Sequence, residues 1–272
     1  MERRKFTKEY MLNQMKVIAS TLPTPISIYL IGGGGMALYG LKEATKDIDV
    51  VLSSSDDLKI LVDTLRQLNY IPMKQLPREY RKMGASAIVE NRDGFRWDIF
   101  HKQVCRALVV SENMISRATK VFEEGNLSVH LLSKEDIFLF KGITERDLDL
   151  EDMSSLAESG IDWNTIITEC LQQSKSSGTI WEAALYERMV DLREKYGIRS
   201  PFEKRLRAIA EEKMTERRLI TIIERGPNTV KEISAEMGFS ETLVRREIMR
   251  LVREGKLKAD TATRPHRFHL NP

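Results

Sequence analysis

Hydrophobic and polar residues alternate along the first half of the chain in a pattern that predicts a mixed α/β body. Apolar residues at helical spacing indicate a helix over Thr7–Ser20, which ends before Pro23. Five runs have the spacing and composition of strands: Ile26–Ile31, Asp47–Leu52, Ser86–Val89, Phe95–Phe100 and Leu127–Leu132. Three more helices are indicated: Met36–Leu41, one from the Ser53–Asp56 cap to about Leu68, and one from Ser133 to about Ile143.

The second half has a helical pattern followed by a different small module. Helical periodicity continues to Lys213, with breaks at Gly160, Ser174–Gly178 and Gly197–Pro201. The last segment predicts three helices and a hairpin: Glu211–Arg225, Thr229–Met237, Ser240–Glu254, and Lys256–Ala259 paired with Arg267–Leu270. This order is that of a winged helix. We therefore predict an α+β fold with a mixed-sheet core over residues 1–145, a helical extension over 146–210 and a winged helix-turn-helix domain over 211–272.

Composition narrows the setting in which the protein works. With 272 residues, of which 42% are hydrophobic and 31% charged, the chain can form two domains that each bury a core. It contains no run of eighteen apolar residues, so we expect neither a transmembrane helix nor a secretory signal. Cys105 and Cys170 lie far apart without metal-type spacing. This excludes a disulfide framework and favours a reducing, cytoplasmic setting.

Charge is distributed unevenly along the chain. Residues 213–272 contain thirteen Lys or Arg and eight Asp or Glu, a net charge of +5, whereas the whole chain has a net charge of only +3. A neutral body with a basic tail indicates nucleic acid as the partner of the tail. A solvated, mildly basic helix bundle would have the same charge, and charge alone does not separate the two interpretations.

Four consecutive glycines, Gly32–Gly35, follow the first strand and precede a helix. Glycine lets the backbone approach a phosphate closely, and the start of a helix offers free N–H groups. The spacing from Gly32 and Gly34 to Ala37 also fits a dinucleotide-binding fingerprint. That alternative fails because the acidic residues open the second strand instead of ending it, and because the helix has only about six residues.

Two aspartates alternate at the start of the strand Asp47–Leu52. Asp47 and Asp49 project together, while Ile48 and Val50 point to the other side. Few basic partners are evident for the pair, and two like charges at this spacing repel unless a cation lies between them. A divalent metal bound through carboxylate oxygens is the natural cation. Two solvated aspartates at a strand entrance are the alternative, which the nearby glycines disfavour.

A third carboxylate occurs in the later strand Phe95–Phe100. Phe95, Trp97 and Ile99 form its apolar face, and Asp98 projects from the opposite one. A further carboxylate on a neighbouring strand would complete a site for two metal ions. An exposed strand aspartate is an equal alternative when this strand is considered alone.

The stretch Leu30–Leu52 resembles the signature of the polymerase-β-like nucleotidyltransferase superfamily, in which a G-G or G-S turn precedes a D-x-D pair and a third acid lies on a later strand. The resemblance implies that Asp47, Asp49 and Asp98 are catalytic and bind Mg²⁺ or Mn²⁺, and that the turn Gly34–Gly35 binds the nucleotide. It also implies the reaction: an acceptor oxygen attacks the α-phosphate of a nucleoside triphosphate, and pyrophosphate leaves. The second glycine replaces a frequent serine, which leaves only backbone donors for the phosphates.

A narrower resemblance lies around Lys141 and Arg146–Asp152. This part is similar to bacterial and archaeal nucleotidyltransferase-like toxins of the abortive-infection type, in which a helix lysine precedes an R-D-x-x-D-like stretch. The resemblance implies that Lys141 contacts the nucleotide. Asp149 and Asp152 match the acids loosely, because Asp147 offers a competing register. A solvated helix lysine is the alternative. The two resemblances together cover about residues 5–160.

The tail carries the side chains that we predict to bind nucleic acid. Thr229–Gly238 resembles the helix-turn-helix of prokaryotic winged-helix regulators. The predicted contacts to base edges and phosphates come from the third helix and the hairpin: Thr242, Arg245, Arg246, Arg250, Lys256 and Lys258. A winged helix that pairs with protein is the alternative.

These features favour a metal-dependent nucleotidyltransferase that moves an NMP group from an NTP to an unidentified acceptor, which is RNA, a nucleotide or a protein. We predict a component of a toxin–antitoxin or phage-defence pair, with nucleic acid, an antitoxin protein and a second copy of the chain as candidate partners. One alternative is a nucleic-acid-binding regulator whose transferase-like body senses nucleotide or has lost activity. Another is an RNA-end-modifying enzyme whose winged helix orients the substrate.

Overall fold

The computed structural model describes residues 3–73, 84–104, 106–143 and 147–271. It divides into two compact units, Met1–Glu203 and Lys204–Pro272. Cys105 and Arg146 lie outside the described residues. Among the residues that are described, no helix combines the length and the apolar character needed to cross a membrane.

A seven-stranded mixed sheet forms the centre of the first unit. The strands of this unit are β1 (Phe6–Thr7), β2 (Ile26–Ile31), β3 (Ala44–Thr45), β4 (Asp47–Leu52), β5 (Ile71–Pro72), β6 (Ala87–Glu90), β7 (Arg96–His101), β8 (Gln103–Val104), β9 (Leu108–Val109), β10 (Thr119–Glu124) and β11 (Leu127–Leu131). The sheet order is β10-β11-β2-β4-β7-β6-β5, and β1–β3 and β8–β9 form two small separate sheets. β4 is antiparallel to β2 and parallel to β7, so β4 lies near the middle of the sheet.

Helices surround this sheet and continue after it. They are α1 (Lys8–Thr21), α2 (Gly32–Leu38), α3 (Ser55–Gln67), α4 (Glu112–Arg117), α5 (Lys134–Gly142), α6 (Asp147–Glu158), α7 (Trp163–Ser177) and α8 (Trp181–Tyr196). Hydroxyl side chains precede four of them: Thr7, Ser54, Ser111 and Ser133 each accept a hydrogen bond from a backbone N–H of the first turn. The core between helices and sheet is apolar, and Ile48 and Val50 are fully buried in it.

The strands that the pattern predicts occur within about one residue of their predicted bounds. Helix α2 differs from its prediction, because it begins at Gly32 and not at Met36. The glycines form the first turn of this helix instead of a loop ahead of it. Glycine is a poor helix former, so packing must favour it here. A Cβ atom at Gly35 would lie 2.9 Å from Cδ1 of Ile137 and 3.1 Å from Cδ1 of Leu131, which leaves no room for a side chain.

The second unit is a small helical module with a two-stranded sheet. Its elements are α9 (Glu203–Glu224, which begins at the boundary), α10 (Val230–Met237), α11 (Glu241–Arg253), β12 (Leu257–Asp260) and β13 (Arg267–Leu270). Thr229 and Glu232 form a reciprocal capping box at the start of α10, and Gly238 ends that helix with a φ of +68°. The unit has its own apolar core: Leu219, Ile222, Ile223, Val230, Ile233, Met237, Val244, Ile248, Leu251, Leu257 and Phe268.

Candidate functional site

The three aspartates lie together on one face of the central sheet. The register of β4 and β7 places Asp49 directly opposite Asp98, and Asp47 opposite Arg96. Residues paired in this way project to the same side of a sheet. The intervening side chains point to the other side and are fully buried, as predicted: Ile48, Val50, Trp97 and Ile99.

Arg96 lies between two of the carboxylates. Its Nη2 donates hydrogen bonds of 2.8 Å to Oδ2 of Asp47 and 2.8 Å to Oδ2 of Asp98, and its Nε lies 2.7 Å from Oδ1 of Asp98. Arg3 also donates from Nη1 to Oδ2 of Asp47 at 2.9 Å, and from Nη2 to the carbonyl oxygen of Lys46 at 2.8 Å. The expectation of few basic partners is therefore wrong. Arg96 enters from the neighbouring strand, and Arg3 from the segment that β1 holds against β3.

Asp98 is 1% exposed, so its interpretation as an exposed strand residue is wrong. Burial raises the pKa of Asp98 and so does the charge of Asp47, while Arg96 lowers it, with a net pKa of about 7. Oδ1 of Asp98 has the Arg96 guanidinium as its partner, because Nε of Arg96 lies 2.7 Å from it. The buried carboxylate is therefore paired within the protein, and a cation that bound this oxygen would have to share or replace the contact with Arg96.

Gly32 lies beside the carboxylate of Asp49. It has a φ of +62°, and a Cβ atom built on it would lie 2.1 Å from Oδ2 of Asp49. The backbone at the start of α2 therefore passes directly beside the Asp49 carboxylate, and only glycine allows this approach.

Gly34 and Gly35, the predicted nucleotide-binding turn, face the apolar core. Both are buried, and the nearest atoms to a Cβ at Gly34 belong to Ile48, Leu30 and Met11 at 3.4–3.5 Å. Any contact of Gly34 or Gly35 with a phosphate would therefore be made by a backbone N–H group.

Lys141 is buried between two carboxylates. Its Nζ lies 2.9 Å from Oδ1 of Asp149 and 2.5 Å from Oδ2 of Asp152. Burial alone would lower the pKa of Lys141, but the two carboxylates outweigh burial and raise it above its ordinary value. Lys42, which follows α2, contacts the other oxygen of Asp152 at 2.5 Å. The interpretation of Lys141 as a solvated lysine is wrong, and its ion pairs connect α5 with α6.

The family of the chain follows from a comparison with family models. The model of a nucleotidyltransferase of unknown function (DUF6036) matches residues 10–200, which is most of the chain. The protein belongs to this family. A search of the curated proteins finds no match. Membership in this nucleotidyltransferase family supports nucleotidyl transfer as the general activity and a nucleoside triphosphate as substrate.

Nucleotidyltransferases usually need a divalent metal, and the three aspartates are the candidate ligands for one in this family member. Within the described ranges, no group of three or more His, Cys, Asp or Glu side chains is already arranged to hold an ion. The donor types fit Mg²⁺ or Mn²⁺, because Asp47, Asp49 and Asp98 supply hard carboxylate oxygens on one face of the sheet. Arg96 contacts one oxygen of Asp47 and both oxygens of Asp98, so at least one of these contacts must open for an ion to use the same oxygens.

The close approach of Gly32 to Asp49 in this nucleotidyltransferase gives a testable prediction. Gly32→Ala should displace the Asp49 carboxylate and reduce nucleotidyl transfer at least about tenfold, because a 1 Å misplacement at a site can cost more than that. Gly40→Ala is the matched control: Gly40 has a similar φ of +75°, but nothing lies within 4 Å of its Cβ position. Both variants bear the same backbone strain of about 1–2 kcal/mol. Equal activities, measured by label transfer, would contradict the role given to this contact.

The predicted nucleic-acid-binding side chains of the second unit fall into two groups. Thr242, Arg245, Arg246 and Lys258 are exposed, and the Arg246 side chain is 70% exposed. The other two are engaged by acidic residues of the same unit. Arg250 contacts Glu212, Glu216, Glu247 and Glu254 at 2.8–3.3 Å, and Lys256 contacts Glu216 and Glu254 at 2.6 and 3.0 Å. Sequence reasoning missed these acids because α9 supplies two of them from a distant part of the sequence.

Proposed function

We propose that the protein moves an NMP group from a nucleoside triphosphate to an acceptor oxygen, in a metal-dependent reaction at Asp47, Asp49 and Asp98. The observation that carries the proposal is the register of β4 and β7, which pairs Asp49 with Asp98 and leaves Asp47 two residues away on the same face. Family membership supports the same class of reaction. When bound, Mg²⁺ or Mn²⁺ would lower the pKa of the acceptor hydroxyl and neutralise charge on the triphosphate.

The chain's own residues have separate roles in this proposal. The three aspartates would hold the ion, and Gly32 keeps the start of α2 beside Asp49. The backbone of Gly34–Gly35 is the proposed donor to the phosphates. Lys141 has both nearby carboxylates as partners. Its burial favours a positioning role, in which it holds α5 against α6, over direct contact with the nucleotide.

Label transfer is the experiment that tests this function. The wild type would be incubated with each labelled nucleoside triphosphate, Mg²⁺ or Mn²⁺, and total RNA or a lysate that also contains proteins and nucleotides. We expect label in one acceptor class from the wild type and none from Asp49→Asn. Asp63→Asn, a change of the same chemistry at an exposed position of α3, should transfer like the wild type. An absence of transfer by the wild type with every nucleotide would contradict the proposal.

We further propose that the second unit is a winged helix that binds nucleic acid. The order of its elements, three helices followed by a two-stranded antiparallel sheet, supports this. Thr242, Arg245 and Arg246 are exposed at the start of α11, the helix that would enter a major groove. Lys258 lies on the hairpin, where it would contact phosphates.

The two groups of basic residues should behave differently in binding experiments with the full chain. Arg245→Ala or Arg246→Ala should reduce the free energy of binding by about 1–3 kcal/mol and relax sequence preference. Lys258→Ala should weaken binding to all sequences alike and reduce the slope of log affinity against log salt concentration by about one unit. Arg250→Ala should lower the free energy of unfolding more than it lowers affinity, because Arg250 has internal acidic partners. Salt titrations against duplex and RNA measure these effects. No binding at low salt would favour a protein-pairing module.

A narrower form of the proposal makes the protein a toxin or phage-defence component, with an antitoxin protein and a second copy of the chain as candidate partners. The similarity around Lys141 supports it. A regulator with a nucleotide-sensing or inactive body is the second candidate, and Arg96 favours it by occupying carboxylate oxygens that a metal would need. Growth arrest on expression of the wild type, relieved by Asp49→Asn, would support the toxin. Equal growth would contradict the toxin, and an absence of label transfer from the same wild-type protein would then favour the regulator.

A further inference from the structure

Arg96 places a positive charge inside the carboxylate site from a strand of the central sheet. It lies on β7, opposite Asp47 across the strand pair and two residues before Asp98 on its own strand. Its side chain is only 2% exposed. The guanidinium therefore cannot be an incidental surface partner of these acids, since both its strand position and its burial hold it between them.

The contacts of Arg96 use the oxygens that a cation would need. One nitrogen, Nη2, reaches Oδ2 of Asp47 and Oδ2 of Asp98 at the same distance of 2.8 Å. A guanidinium matches carboxylates through a rigid fork, and such charge-assisted hydrogen bonds are stronger than neutral ones. A divalent ion that bound both aspartates through these oxygens would have to displace this nitrogen from at least one of them.

Arg3 provides an informative contrast within the same site. It has the same charge but contacts only one of the two carboxylates, through Nη1 and Oδ2 of Asp47 at 2.9 Å. Its side chain is 30% exposed, against 2% for Arg96. Water screens an exposed pair more than a buried one, so Arg3 should compete less with a cation.

We propose that Arg96 is a positioning residue that sets the affinity of this site for a divalent cation. In the metal-free protein it holds Asp47 and Asp98 together and reduces their mutual repulsion. It competes with the ion for their oxygens, so that the site takes up a metal only when at least one Arg96 contact opens. This inference rests on the proposed function, because it assumes that the three aspartates form the metal site.

The test is a Mn²⁺ titration of the full chain, with unbound Mn²⁺ followed by electron paramagnetic resonance and without substrate. Arg96→Gln should bind Mn²⁺ at least about tenfold more tightly than the wild type, because the opposing charge between the carboxylates is gone. Arg3→Gln, which removes the same charge from the same site, should tighten binding only about twofold to threefold. Arg96→Lys keeps the charge without the fork and should lie between the wild type and Arg96→Gln. It also replaces Arg96→Gln if that variant does not fold.

The outcomes separate this inference from the proposed function. Mn²⁺ affinity in the Arg96 variants that is equal to or weaker than that of the wild type would overturn the inference and leave the metal site intact. Equal tightening in Arg96→Gln and Arg3→Gln would also overturn it, because the effect would then be one of net charge. An absence of Mn²⁺ binding in the wild type and all variants would contradict the metal site itself.

Discussion

Asp98→Asn is expected to reduce nucleotidyl transfer by about a thousandfold or more, because it would remove a proposed ligand of a metal ion, and such an ion supplies several kcal/mol of charge stabilisation in the transition state. The substitution keeps the size of the side chain and one oxygen that accepts from Arg96. The protein should therefore stay folded, although Asp98 is buried and not the strand-surface residue that the sequence allowed. Label transfer, compared with Asp63→Asn, measures the effect. Full activity would remove Asp98 from the mechanism.

The same variant should change how stability depends on pH. The pKa of Asp98 rises from an ordinary value of 3.8 to about 7 on folding, mainly through burial. Folding then favours the protonated carboxyl, so the stability that this group contributes is complete below about pH 4 and is lost as the pH rises towards 7. Urea unfolding without metal should show the wild type losing stability between pH 5 and 7 relative to Asp98→Asn. Parallel curves would contradict this effect of burial.

Lys141→Met is expected to lower the free energy of unfolding by about 3–5 kcal/mol, the range observed when one partner of a buried ion pair is removed. Asp149 and Asp152 are 3% and 7% exposed and would lose the ammonium that lies between them. Because Asp152 keeps Lys42 as a partner, we expect the lower end of this range.

Lys59→Met is the matched control for that prediction. Lys59 forms an ion pair with Asp56 on the exposed face of α3, with a side chain that is 71% exposed. Its replacement should cost less than about 1 kcal/mol. If Lys141→Met costs no more than Lys59→Met and instead weakens triphosphate binding, Lys141 contacts the nucleotide directly and is not a structural residue.

The alternation of side chains made much of the carboxylate site predictable. Ile48 and Val50 are apolar and Asp47 and Asp49 are not, so the strand, its buried face and the shared face of the two aspartates followed from a period of two. The starts of two helices were equally predictable, because the hydroxyl groups of Ser54 and Ser133 accept hydrogen bonds from backbone N–H groups of the first turn. These features depend on interactions between residues close in sequence.

The counter-charge of the site was not predicted, because it depends on which strands become neighbours. Of the described elements, α3, β5 and β6 lie between Asp47 and Arg96 in the sequence, and the pairing of β4 with β7 brings the two residues opposite each other. A signal was present, since Arg96 and Asp98 are two residues apart and must share a face. The glycines were also misplaced relative to α2, because their role in packing becomes visible only once Leu131 and Ile137 lie against them.

The pairing of β1 with β3 has a practical consequence for anyone who prepares this protein. It holds Phe6–Thr7 against Ala44–Thr45, close to the start of β4, and from there Arg3 reaches Asp47. A purification tag fused ahead of the first residue would begin within three positions of a side chain that contacts the candidate site. Metal titrations and transfer assays should therefore use protein that carries its tag elsewhere, or whose tag has been removed without leftover charged residues.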